Sequence, residues 1–536
     1  MKFVDEVINN PDELSGKGYS LPEYNRDQMI RNTCDNPVWV HFGAGNIFRA
    51  FHANIAQRLL NNGQMDKGII VIEGYDAEII DKMYRPNNNY SILVTLKGNG
   101  TISKTVIGSV AESCVLDSNR SAEFDRVKEI FTKCSLQMAT FTITEKGYSL
   151  TGSDGNLLKN VAADSINGPE KPESYCGKVA SLLYSRFKVG AKPIAMISTD
   201  NCSNNGDKLH NAISFFAQKW TENGLAEKGF LDYIEDEARV SFPCSVIDKI
   251  TPRPDPAVED MIKEDKLDIA EPIITSLHTY VAPFVNAEET EYLVIEDKFP
   301  NGRPKLEEAG VMFTDKETVF MVEQMKVCTC LNPLHTALAV FGCLLGYTRI
   351  SEEMKDDNLV SLIKTIGYKE GMPVVTDPGI INPNKFIDTV IEERLPNPFM
   401  PDTPQRIVSD TSQKLAIRYG NTIKCYIEQG KDISELKMIP LVFAGWLRYL
   451  MGIDDNGKKY ELSPDPMIKA LMPYFSKIKI GVKNDTENIF RDMFENEQIW
   501  GVNLIRTGMA KMVCQYFDEL TAGMGAVRNT LIKYTK

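Results

Sequence analysis

Histidine is scarce in this chain. There are five in 536 residues, His41, His52, His210, His278 and His335, and no two stand at the spacing of a zinc site. The eleven cysteines form no spaced framework. Cys328 and Cys330 make a C-x-C that no second pair matches, so no metal is expected. Odd, scattered thiols suit a reducing compartment. No run reaches the roughly 18 apolar residues of a membrane span. The opening Met1–Gly18 is polar and acidic, with neither the apolar stretch of a signal peptide nor the Arg-rich amphipathy of a transit peptide, and a cytoplasmic protein is expected. A basic excess is missing too. Lys plus Arg is 60 against 73 Asp plus Glu, a net charge of −13, which argues against nucleic acid or an anionic membrane as the main partner. Low-complexity segments, heptads and short repeats are absent. What remains is an ordinary globular composition, 43 % hydrophobic and 25 % charged, long enough to bury a core without disulfide or metal staples.

The first strong pattern is an apolar run, Pro37–Phe42, followed by Gly43-Ala44-Gly45 and an amphipathic stretch, Ala53–Leu60. Asn61–Gly63 is a stop signal, and Gly68–Ile72 is a second apolar run closing on Glu73. Strand, turn, helix and strand in that order make a βαβ unit of the dinucleotide-binding kind. Further β-type runs at Tyr90–Thr95, Met138–Thr144 and Pro193–Ser198 alternate with helical stretches at Ala122–Lys133 and Ser174–Phe187, which reads as an α/β sheet. After about residue 315 the period turns helical, over Glu317–Gly346, Ser351–Ile366, Asp402–Gly430, Ser434–Gly452 and Ser463–Ile478. Gly346, Gly430 and Gly452 stand where C-terminal caps belong. The expected fold is therefore an α/β Rossmann-type dinucleotide-binding domain with extensions over 1–315, joined to a mainly α-helical substrate and catalytic domain over 316–536. Ile295–Phe313 would lead from one to the other, with the active site in the cleft between them.

Gly43 suits the tight turn and Gly45 a close approach of backbone to a pyrophosphate, with the N-terminus of the next helix supplying N–H groups. Asn46, Ile47, Phe48 and Arg49 complete this cofactor stretch. Phe48 stands where the usual third glycine would be, so an ordinary glycine turn stays open as the alternative. Glu73 and Asp76 are candidates for the ribose hydroxyls of NAD, either of which would repel the 2′-phosphate of NADP; each alone also reads as a solvated loop acid.

The densest chemistry lies in Glu323-Gln-Met-Lys326-Val-Cys-Thr-Cys-Leu-Asn332-Pro-Leu-His335. A metal-free alcohol-to-carbonyl dehydrogenase needs a base for the hydroxyl proton and donors for the developing oxyanion. Lys326 suits the first task if burial and a positive nicotinamide lower its proton affinity. Asn332 and His335 suit the second, and Glu323 could relay the proton outward. From spacing alone, a helical Lys–Glu pair beside a buried polar Asn and His is the more ordinary reading.

These residues resemble the polyol-specific long-chain dehydrogenase/reductase, or mannitol dehydrogenase, family. The resemblance rests on Gly43–His52, Thr144-Glu145-Lys146-Gly147-Tyr148, Asp200-Asn201 with Asn205-Gly206, Asp248–Pro252, Ile295–Pro304, Leu331–His335 and Arg406–Lys414, all in family order. It implies an NAD-dependent, metal-independent oxidoreductase with Lys326 as general acid/base, Asn332 and His335 polarising the carbonyl, and Glu323 gating the proton path. Asn201 and Asp248 would line the nicotinamide end and the substrate, with Glu145 and Asn201 on the cofactor. Arg406 and Lys414 would hold distal hydroxyls or a carboxylate of an open-chain sugar, oriented by Asp410 between them.

The segment looks most like fructuronate reductases (D-mannonate oxidoreductases). Tagaturonate reductase and mannitol or arabinitol 2-dehydrogenase are the alternatives, and a non-catalytic dinucleotide sensor is the reading of a different class. A monomer or small homo-oligomer is implied. One departure matters. The family pattern sets Lys and Asn five apart, whereas here they are 326 and 332. One extra residue on a regular helix rotates the residues beyond it by about 100°. A π-bulge or irregular turn near Cys328–Cys330 is predicted to absorb it, and Pro333, where glycine is commoner, suits a helix restarted there.

Overall fold

The computed structural model describes residues 7, 10–253, 256–265, 267 and 271–536; most of the acidic opening Met1–Asn9 lies outside the described residues. The chain divides into two compact units, Met1–Lys97 with Thr101–Val319, and Gly98–Gly100 with Phe320–Lys536.

The first unit is built on a six-stranded sheet. Its strands in chain order are β1 (Trp39–Phe42), β2 (Ile69–Glu73), β3 (Val110–Val115), β4 (Met138–Phe141), β5 (Ile194–Ser198) and β6 (Val240–Ser241). They lie in the order β3-β2-β1-β4-β5-β6, every neighbour parallel. This is the doubly wound Rossmann order. β1, β2, β4 and β5 are buried at every residue, as a parallel sheet covered on both faces requires. Alternate residues feed two separate cores. Val40, Phe42, Ile70, Ile72, Ala139 and Phe141 pack with the helices Ser121–Thr132, Tyr175–Lys188 and Asn205–Glu222. Trp39, Ile69, Val71 and Met138 pack on the other face with Ile55, Ala56 and Leu59 of helix Ala53–Asn61. The strand order reverses between β1 and β4, and both strands end at the same level. Gly43 donates to Ile72 O at 2.8 Å and Thr142 donates to Phe42 O at 2.9 Å.

Two expectations need correction. Ser91–Leu96 is a strand, but not of the Rossmann sheet. It runs antiparallel to Ile102–Ile107 and parallel to Phe284–Glu288 in a separate four-stranded sheet. Ile295–Phe313 is not a bare connector. Tyr292–Glu296 and Met312–Thr314 pair with each other, and Tyr292–Glu296 with Ser245–Asp248, in a three-stranded sheet of the first unit.

The second unit is helical. Met438–Tyr449 is buried along its whole length, and Asn332–Leu345 and Met509–Leu520 pack against it. The continuous helical stretch Lys316–Leu345 is long and apolar enough to cross a membrane by composition, and its most apolar window is 78 % buried within the fold, as befits a core helix. That stretch is not straight. Lys326–Cys330 forms a π turn, closed by Leu331 N–H donating to Lys326 O at 3.1 Å. Leu331 then leaves helical geometry at φ −129°, and Asn332–Leu345 resumes the α-helix with Pro333 in its first turn. The extra residue between Lys326 and Asn332 is thus taken up where the sequence predicts. Three more π segments, Thr365–Gly371, Val390–Arg394 and Ala416–Gly420, interrupt the helices of this unit. The sequence reads Asp402–Gly430 as one helix, but it is broken at Asp410, whose φ is +52°.

Candidate active site

The glycine turn opens on a cavity of about 690 Å³ at the switch point of the sheet, walled by Gly43, Gly45, Glu73, Thr142, Thr144 and Tyr175 among others. Gly43 has φ +105°, and a Cβ there would stand 2.3 Å from Thr142 O, so only glycine lets the turn pass under β4. A Cβ on Gly45 would meet no atom within 4 Å, which leaves room for a ligand against the backbone. The turn is clamped from behind. Ala44 N–H donates to Glu73 Oε2 at 2.7 Å, and Tyr84 Oη donates to Ala44 O at 2.9 Å. Glu73 Oε1 also accepts from the N–H groups of Tyr75 and Asp76, at 2.7 and 3.1 Å. Burial pushes the Glu73 carboxyl up, against the pull of those three donors.

The other residues of this stretch take different places. Phe48 is fully buried and stacks on His41 with ring centroids 4.4 Å apart. Arg49 is buried, donating to Ala282 O at 2.6 Å and to Asn46 Oδ1 at 2.8 Å. Asp76 is 1 % exposed; its carboxylate caps Glu78 N–H and accepts from Thr275 Oγ1 at 2.6 Å. Phe48, Arg49 and Asp76 therefore brace the turn and are not among the residues that wall the cavity. Under the turn, burial drives the His52 imidazole down to about 3 and that of His41 well below its usual range.

A second cavity of about 390 Å³ in the same unit shares Thr142 and Thr144 with the first, and Ile47, Glu145, Asn201 and Asp248 lie on its wall. Four residues from distant motifs thus meet in one pocket. Asn205, buried, donates to Asp200 O and Ser245 O, both at 3.0 Å, and so ties the Asp200-Asn201 loop to the strand that ends in Asp248.

In the helical unit Lys326 is buried at 5 % exposure, and Glu323, one turn earlier, is half-buried. Asn332 and His335 open the helix after the π turn. His335 Nε2 lies 3.5 Å from Asp402 Oδ2, too long for a good hydrogen bond. Burial lowers this imidazole to about 4. Asp402 pulls it back up, while the guanidinium groups of Arg418, Arg406 and Arg394 push it further down. The ring is therefore neutral at pH 7, held between the Asp402 carboxylate and the charges of the three arginines. Arg406 pairs with Asp402, not with Asp410 as expected. Lys414 turns inward to the carbonyls of Ile407, at 3.2 Å, and Ser409, and burial lowers its proton affinity. Arg418 and Asp402 lie outside the residues to which the sequence motifs point. Arg418 donates to Thr336 Oγ1 and to Asn332 O, which fixes the start of the helix that carries Asn332 and His335. The spacing of Asp402 four residues before Arg406 is the signal that could have found their pair. Arg394 and Arg418 sit on π segments, and Lys326 opens another.

A doubly wound sheet with a glycine turn at its switch point, continued by a helical unit in which Lys326 and Arg394 are buried, is the architecture of a Rossmann-type dinucleotide-binding protein. The mannitol dehydrogenase Rossmann domain matches residues 38–308 and the mannitol dehydrogenase C-terminal domain matches residues 319–521. The chain belongs to the mannitol dehydrogenase family and is a dehydrogenase acting on CH–OH groups. It is 50 % identical over 534 residues to a D-mannonate oxidoreductase of Thermotoga maritima, covering 99 % of this chain and 98 % of that relative. Among solved structures it is similar to a D-sorbitol dehydrogenase in substrate-free form, with TM-score 0.74 and 25 % identity over 93 % of this chain and 97 % of that one. It is also similar to Pseudomonas fluorescens mannitol 2-dehydrogenase in a ternary complex with NAD and D-mannitol, with TM-score 0.69 and 25 % identity over 98 % of each chain.

Proposed function

We propose that the protein interconverts D-mannonate and D-fructuronate with NAD(H) in the cytoplasm, residues 1–315 holding the cofactor and 316–536 the sugar acid. The observation that carries this reading is the full-length 50 % identity to a D-mannonate oxidoreductase. The three arginines whose charge acts on His335 support it independently, because a hexuronate has a carboxylate that a polyol lacks, and guanidinium groups pair with carboxylates in a bidentate fashion.

When bound, NADH supplies the hydride that goes to the substrate carbonyl carbon. The protein does the rest. Gly43 and Gly45 admit the pyrophosphate. Glu73 spends three acceptor positions on its own turn, and a carboxylate has about four, so one remains for a ribose hydroxyl. Neutral His335 and the Asn332 amide donate to the carbonyl oxygen and stabilise negative charge as it develops. Lys326 delivers the proton that completes the hydroxyl and recovers one from the Glu323 side; in the oxidative direction it is the base. Arg406, with Arg394 and Arg418, holds the carboxylate end.

The test is NADH oxidation with D-fructuronate, D-tagaturonate, D-fructose and D-xylulose. Preference for fructuronate is expected. A preference for fructose or xylulose would keep the Lys326 chemistry and overturn the sugar-acid reading. A Lys326→Ala variant that binds NADH and turns over at the wild-type rate would remove Lys326 from its role.

A further inference from the structure

We infer that Asp200 is a positioning residue for the dinucleotide: its carboxylate holds the Thr142–Thr144 segment as a sill between the two cavities of the Rossmann unit, and so sets the path of the cofactor from pyrophosphate to nicotinamide. This deepens, and rests on, the NAD reading above.

Three observations converge. The first is backbone geometry. Thr144 has φ +64° and ψ 159°, a region that is populated almost only by glycine and that a β-branched residue enters only under constraint. The second is what constrains it. Asp200, at the end of β5, accepts from Thr144 N–H at 2.8 Å through Oδ1 and from Ile143 N–H at 3.0 Å through Oδ2. Tyr148 Oη donates to Oδ2 as well and also meets Ser198 Oγ at 2.8 Å. The backbone of Asp200 is itself fixed by Asn205. Two adjacent N–H groups and a phenol thus converge on one carboxylate, and an amide in its place would turn an N–H₂ toward at least one of those donors. The third is location. Thr142 and Thr144 line both cavities, so a ligand that reaches from the glycine turn to Asn201 and Asp248 crosses this segment. If the clamp is lost, Thr144 relaxes to negative φ and the sill moves into that path.

The prediction separates two ligands. NADH spans both cavities, whereas ADP-ribose, which lacks the nicotinamide, needs the first. Dissociation constants for both are measured by calorimetry on the wild-type protein, Asp200→Asn, Tyr148→Phe, and Asp200→Asn combined with Thr144→Gly. Asp200→Asn is expected to weaken NADH about tenfold or more and ADP-ribose less than about threefold, the tenfold loss being that of charge-assisted hydrogen bonds. Tyr148→Phe keeps both backbone bonds, so a smaller loss confined to NADH is expected even if Asp200→Asn folds poorly. Adding Thr144→Gly to Asp200→Asn should restore NADH binding, because glycine holds this geometry without a clamp. Equal losses for the two ligands, or no recovery with glycine, would reduce Asp200 to a fold-supporting acid and overturn the inference alone. A wild-type protein that binds neither ligand would overturn the NAD reading and this inference with it.

Discussion

Glu370 should make the helical unit less stable as pH rises through neutrality. It lies in the last turn of the π segment Thr365–Gly371 and is 3 % exposed. Its carboxylate stands outside the start of helix Met438–Tyr449 and accepts from Lys437, Met438 and Ile439 N–H groups at 2.7, 2.6 and 2.9 Å. Burial wins over those donors and pushes the carboxyl up from 4.5 to about 7. Because the folded value lies above the unfolded one, the folded state binds the proton more tightly. The contribution is fully present below pH 4.5 and is lost as pH rises through 7. At 1.36 kcal/mol per pH unit this amounts to about 3 kcal/mol. Glu370→Gln removes the titration and keeps one acceptor oxygen. Urea unfolding of both proteins from pH 4.5 to 8 cancels all other titrating groups in the difference. The stability gap is expected to move by about 3 kcal/mol in favour of the glutamine variant across that range. A gap that stays constant would refute the claim that burial outweighs the three backbone donors. The residue bears on function through its neighbour. Gly371 touches Thr329, where a Cβ on the glycine would come within 2.9 Å of Thr329 Cγ2, so the segment that Glu370 anchors supports the π turn of Lys326.

Gly43→Ala forces a side chain to 2.3 Å from Thr142 O at φ +105° and should destabilise the protein by more than about 2 kcal/mol; Gly45→Ala meets nothing and should leave the melting temperature unchanged while weakening NADH, as paired calorimetry would show. Lys326→Ala should lower kcat by about 10²–10⁴-fold, the usual worth of a general acid or base, with NADH affinity unaltered in a direct titration. Arg406→Ala should raise KM for D-fructuronate about tenfold or more and that for D-fructose far less, since one charge-assisted contact is lost only with the acid; equal effects on the two would place Arg406 away from the carboxylate.

The parts of this protein that are legible in its sequence are those whose partners lie close along the chain. The run into Gly43, the acid at the end of β2 and the helix restart at Asn332 all follow from local rules of turn, strand and π-insertion geometry. Long-range pairing leaves no such mark. Nothing in Ser91–Leu96 announces that its neighbour is Phe284–Glu288, so an apolar run reads as one more Rossmann strand. The same limit governs the site. Gly43, Gly45 and Glu73 reach the cavity because a glycine turn has few solutions. Arg49 and Asp76 look equally available in sequence, yet Arg49 donates through its terminal nitrogens to Asn46 beside it and to Ala282 across the fold, and Asp76 accepts from distant Thr275. Arg418 escapes notice for the opposite reason, because its value comes from lying beside Asn332 O, 86 positions away.

Cys328 and Cys330 lie inside the π turn that begins at Lys326, and both are buried. Burial pushes the Cys330 thiol up to about 12 and that of Cys328 upward as well, so neither offers a thiolate to an alkylating reagent at neutral pH. Among the described cysteines Cys134 is the exposed one, and it stands just beyond helix Ser121–Thr132 on the Rossmann unit. The native protein therefore arrives with a ready attachment point. A brief maleimide treatment should place a fluorophore or a surface tether at Cys134 first and leave the lysine turn untouched, with no need to strip the other ten thiols.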